Sequence, residues 1–123
     1  MRPRVPVRTQ RGAVTAELAM AIPVLVAITV GLVWLLSVGF AQVRMIDAAR
    51  ETARALARGD DPAEALAVGQ HVAPAGARFT ISESDGLVTV RATGPAGDSG
   101  LEVRWLPDVE LSARAVALME HDP

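Results

Sequence analysis

The sequence predicts an α+β protein. A long N-terminal transmembrane helix extends into a small domain with one short helix and an antiparallel sheet of three or four strands. Three observations carry this reading. Leu18 to Ala41 is a run of 24 residues without a charged side chain. Apolar residues then recur every three or four positions from Ala41 to Leu56, the period of one helix face. From Arg78 onward the period drops to two, as in strands with one buried face.

The charge-free run comes first. As a helix rising about 1.5 Å per residue it would reach roughly 36 Å. A bilayer's hydrocarbon core is about 30 Å thick, so the run is long enough to span it with some tilt. Helix is the form lipid demands, because it satisfies every backbone hydrogen bond internally. Pro23, Gly31 and Gly39 are tolerable there, and Pro23 removes only one donor. Arg2, Arg4, Arg8 and Arg11 precede the run with no acid before Glu17. Such an excess of arginine favours a cytoplasmic N-terminus and an extracytoplasmic C-terminal domain. A secretory signal cleaved after Gly39-Phe40-Ala41 is the competing reading. The run is about twice the length of a usual signal core, and the pattern after it continues a helix without a break.

Past the run, Ala41, Met45, Ala48, Thr52, Ala55 and Leu56 form one stripe. Gln42, Arg44, Asp47, Arg50, Glu51, Arg54 and Arg58 face elsewhere. Asp47–Arg50 and Glu51–Arg54 are i,i+3 pairs worth about 0.2–0.5 kcal/mol each. The stripe reads as the domain's own core face before it reads as a subunit interface. Gly59 suits a helix C-cap. A second helix then starts with Asp61 as cap, Pro62 in the first helical position and Glu64 closing a capping box. It runs to about Val72, where Pro74 and Gly76 stop it.

The strands follow. Phe79 and Ile81 alternate with Thr80 and Ser82, and Val88, Val90 and Ala92 alternate with Thr89 and Arg91. Asp85-Gly86 between them is a two-residue hairpin turn. It sets Ile81 opposite Val90, Phe79 opposite Ala92 and Ser82 opposite Thr89, so the apolar partners share a face. Gly94 to Gly100 reads as a loop, Leu101, Val103 and Trp105 as a third strand, and Val109 to Ala117 as a fourth.

The composition narrows the function. Half of the residues are apolar but only four are aromatic, and most of the apolar content lies in one stretch, so a freestanding core would be thin. There is no cysteine, which excludes a disulfide framework and thiolate metal sites. All twelve basic residues are Arg. Residues 42–123 carry eight of them against thirteen acids, so a basic tail meets an acidic body. That asymmetry suits opposite sides of a membrane better than a grip on nucleic acid, and no aromatics interleave with the arginines. His71 and His121 stand apart, Gly94-x-x-Gly97-x-x-Gly100 opens no helix that could cradle a phosphate, and no base sits beside a nucleophile. The expectation is a protein that is not an enzyme, with no cofactor, no metal and no small-molecule substrate.

Arg11-Gly12-Ala13-Val14-Thr15-Ala16-Glu17 is the most informative segment. An acid costs about 2.5–3.5 kcal/mol at a membrane helix centre and less at its edge. Glu17 at the mouth of the run therefore calls for a partner. One reading leaves it at the interface, favoured by the positive end of the helix. The other has the chain cut after Gly12. Ala13 then becomes a cationic N-terminus, and Glu17, the fifth mature residue, pairs with the amine of a neighbouring subunit. The adjoining Arg11 and Gly12 favour the second reading.

These residues, with Ala21-Ile22-Pro23 and Ala48-Ala49-Arg50 through Arg58-Gly59, resemble the TadE-like family of minor pilins (pseudopilins). That family belongs to the Flp, or tight-adherence, branch of type IV pilus systems. The resemblance covers about residues 11–59. It implies a basic prepilin-type leader at 1–12, a transmembrane and extended helix at 13–58, and a small extracytoplasmic domain at 59–123. It implies cleavage by a membrane prepilin peptidase between Gly12 and Ala13, with Glu17 as the assembly contact. The implied partners are the membrane, other pilin or pseudopilin subunits and the pilus assembly platform. Many relatives follow the acid with an aromatic residue, where this chain has Leu18. The alternative is an unprocessed single-pass anchor carrying an extracytoplasmic binding module.

Overall fold

A computed structural model of the chain describes residues 1–3, 10–97 and 104–120. Its elements are α1 (Gln10–Ala57), α2 (Pro62–Val72), β1 (Arg78–Ser84), β2 (Leu87–Pro95) and β3 (Glu110–Leu118). The chain divides into two compact units, Met1–Val33 and Trp34–Pro123, and the 48-residue α1 belongs to both.

In the first unit α1 is helical straight through Pro23. Large apolar side chains point outward all around it, among them Leu18, Met20, Ile22, Leu25, Ile28 and Leu32. Burying each is worth about 1.5–3 kcal/mol, so in water such a surface would be a heavy liability. The helix is long and apolar enough to cross a membrane, with a mean hydropathy of 2.5 over its most apolar window.

The second unit is two-layered. A three-stranded antiparallel sheet of order β1-β2-β3 has one face covered by α1 and α2. The hairpin register is the one the turn dictates: Phe79 pairs with Ala92, Ile81 with Val90 and Ser82 with Thr89. Asp85 and Gly86 both take positive φ, 53° and 74°, as the tight hairpin turn requires. Val88, Val90, Ala92, Leu111 and Ala113 point inward onto Met45, Ala49, Ala53 and Leu56 of α1 and Ala65 of α2. Among the described residues, Met45, Val88 and Val90 are the sizeable apolar side chains fully shut off from solvent. The rest of the core is largely alanine, so close backbone approach replaces bulk.

The helix ends follow their sequence signals. Gly59 N–H donates to Leu56 O at 3.0 Å and Asp60 N–H to Ala55 O at 3.1 Å, with Gly59 at φ 88°. This is a Schellman cap, and it ends α1. Asp61 caps α2 by accepting from Ala63 N–H at 2.9 Å, and Pro62 fills the first helical position.

Four details differ from expectation. Gly94 and Pro95 belong to β2, not to a loop. Gly94 faces inward, and a Cβ there would sit 2.9 Å from the Ala77 Cα, so its bare backbone lets the approach to β1 pass over the strand. Trp105, expected in a third strand, lies in a turn with Arg104, while Leu101 and Val103 lie outside the described residues. The strand expected at Val109 to Ala117 is β3, the third of the sheet. Glu51 and Arg54 pair at 3.5 Å, but no ion pair joins Asp47 to Arg50.

Two bonds fix the direction of β3. Gln42 Nε2 donates to Ser112 O at 3.1 Å near its start, and Glu120 N–H donates to Ala57 O at 3.0 Å beyond its end. The strand thus runs alongside the last fifteen residues or so of α1 in the same direction. Arg44 at the same end of α1 donates from Nε to Val72 O at 3.0 Å and from Nη2 to Ala73 O at 3.2 Å. Those two bonds tie the C-terminus of α2 to α1.

Candidate functional site

The N-terminal turns of α1 hold the chemistry that the sequence singles out. The helix begins at Gln10, so Arg11, Gly12 and Ala13 lie in its first turn, where backbone N–H groups have no intrahelical partner and fraying costs little. A Cβ built on Gly12 would meet nothing within 4 Å. Gly12, Ala13 and Glu17 are all exposed. Among the described residues no ion pair or hydrogen bond engages the Glu17 carboxylate. Arg2 and Arg11 are exposed, while Arg4 and Arg8 lie outside the described residues.

Along the helix the polar side chains that can turn inward do so. Thr15 Oγ1 donates to Arg11 O and Thr29 Oγ1 to Leu25 O, both at 2.8 Å. An i−4 bond of this kind lets a hydroxyl sit in an apolar medium without a stray polar group. Glu17 has no such recourse. A carboxylate only accepts, so it cannot donate back to a carbonyl of the preceding turn. Glu17 is exposed at the start of the charge-free run. Sequence reasoning passed over Thr29, although a hydroxyl inside an apolar run is itself the signal for such a back-bond.

Among the described residues no three His, Asp or Glu side chains converge as a metal site. His71 is exposed, and His121 lies outside the described residues. A groove of about 210 Å³ runs between α1 and the edge of β3, lined by Arg50, Ala53, Arg54, Ala115, Val116 and Ala117. It has two guanidinium groups on its rim but no nucleophile or carboxylate within it.

A model of the TadE-like protein family matches residues 12–54. The match is about a third of the chain, starts at Gly12 and ends within the buried stretch of α1. Over those residues the chain is similar to TadE-like proteins. No curated protein and no solved structure matches it.

Proposed function

We propose that the chain is a TadE-like minor pilin (pseudopilin), a structural component of a Flp-type pilus or related secretion apparatus. It spans the cell membrane once, with its N-terminus in the cytoplasm and its C-terminal domain outside. A prepilin peptidase removes residues 1–12, and the exposed first turn of α1 is where that enzyme gains access. Ala13 then carries a free amine, and Glu17 lies one helical turn below it. Subunits packed side by side, staggered by about 6 Å along the axis, would set the amine of one against the carboxylate of the next. Each subunit brings one charge of each sign, so lateral packing neutralises both within an apolar medium where pairing is strong. The role is assembly, not catalysis.

The observation that carries this reading is the similarity to TadE-like proteins beginning at Gly12, joined to a lone acid at the start of a charge-free run. Intact-mass measurement of the mature protein, from cells with an active prepilin peptidase, tests it. The expected product starts at Ala13. A product starting at Met1 would turn the reading toward an unprocessed anchored module, and one starting at Gln42 toward a secreted protein.

A further inference from the structure

The bonds from Gln42 to Ser112 and from Glu120 to Ala57 give the domain a near end and a far end along α1. Gln42 is the first polar residue after the charge-free run, so the near end lies where that run stops. The core even reaches back into the run, since Val38 packs against it. At this end β2 finishes at Pro95, β3 starts at Glu110, and the Ala96 N–H to Val109 O bond of 3.0 Å closes the sheet. The connection from β2 to β3 therefore starts and ends near the level of Gln42.

That connection carries Arg104, Trp105 and Leu106 in a turn. Trp105 is 65% exposed, although the domain has few large apolar side chains to spare. Phe40, at the end of the charge-free run, is 63% exposed. Tryptophan prefers the water–lipid boundary, where its ring lies among acyl chains and its N–H meets headgroups. Arginine beside it can reach lipid phosphate while its stem stays apolar.

We propose that the Arg104–Trp105–Leu106 turn is an interfacial anchor that seats the domain on the surface of the bilayer. The inference rests on the reading that residues 18–41 cross that bilayer. The anchor would limit the tilt of the domain against the bilayer before any filament forms, because it adds a second attachment beside α1.

Two single-tryptophan variants of the full chain separate the two readings. They are reconstituted at high dilution in phosphatidylcholine–phosphatidylglycerol vesicles containing lipids brominated either near the headgroup or deep in the acyl chain. Trp105→Phe leaves Trp34 to report the span, and Trp34→Phe leaves Trp105 to report the anchor. Trp34 is expected to lose intensity to acyl-chain bromine. Trp105 is expected to emit to the blue of its denatured value and to lose more intensity to shallow bromine than to deep. If Trp34 is quenched and Trp105 is not, the anchor is refuted and the span stands. If neither is quenched, the span falls and takes the anchor with it. A Trp105 blue shift that vanishes as lipid is added in excess also overturns the anchor, because it reports contact between copies of the chain.

Discussion

Gly69 of α2 lies directly against the hydroxyl of Thr52 on α1. A Cβ at position 69 would collide with Thr52 Oγ1 and press on the Phe79 ring. Thr52 is a buried polar residue of the core, and its hydroxyl donates to Ala48 O at 2.9 Å. The closest approach of the two helices thus depends on one missing methyl group.

Gly69→Ala should therefore destabilise the domain by about 1–3 kcal/mol, the range for overpacking, despite the gain of about 1 kcal/mol in helix propensity. Adding Thr52→Ala should recover part of the loss, with a coupling of about 0.5–3 kcal/mol. Thermal unfolding of the full chain in detergent checks both. Additive effects of the two substitutions would mean that the helices do not meet at this pair.

Arg44 holds the last carbonyls of α2 through two bonds from a planar fork. Arg44→Met keeps much of the stem and removes both donors. It should cost about 1 kcal/mol and loosen the end of α2 first, seen as faster amide exchange at Gly69 to Ala73 than at Ala65. Arg44→Lys should recover only part of this, since an ammonium is not a fork.

Arg91 and Arg114 are direct cross-strand partners on the outer face of the sheet. Both are exposed, and like charges placed opposite each other oppose pairing. Arg114→Glu should raise stability by about 0.2–1 kcal/mol, and the gain should shrink as salt is added. Denaturant titrations at low and high salt measure this. Nothing in the fold requires two positive charges here.

For assembly, Glu17→Ala should leave insertion and shortening of the chain intact while greatly reducing recovery of the mature protein in a sheared-filament fraction. Removing the acid also removes its cost in lipid, so membrane insertion should not suffer. Wild-type recovery from Glu17→Ala would leave the amine–carboxylate pairing without support.

Much of the fold was legible because its signals are local. Asp85-Gly86 sets the hairpin register, and Gly59 followed by Asp61-Pro62 sets one helix end and the next start. The stripe from Ala41 to Leu56 is part of a wider buried face. Ala49, Ala53 and Ala57 are buried as well, since α1 faces both a sheet and a second helix, and alanine is too small to mark a face by hydropathy. Spacing puts Gln42 and Arg44 on the outer side. Their backbone does lie there, but their long side chains reach partners 70 and 29 residues away, which no spacing reveals. Spacing alone makes Trp105 look like strand, because five alternating residues look alike with or without a strand beside them. The candidate site at Gly12 and Glu17 was visible only as a pattern of residue types against an apolar run. Under the proposed pairing its chemistry would depend on a second molecule, which a single chain does not contain.

The common direction of β3 and α1 has a mechanical consequence. Traction on the helix along its axis would load the Gln42–Ser112 and Ala57–Glu120 fastenings together, in shear, instead of peeling one after the other. Within this unit the sheet and the stretch of α1 it packs on would share an axial load. A sideways pull at the far hairpin would strain the fastenings in sequence and part them at much lower force.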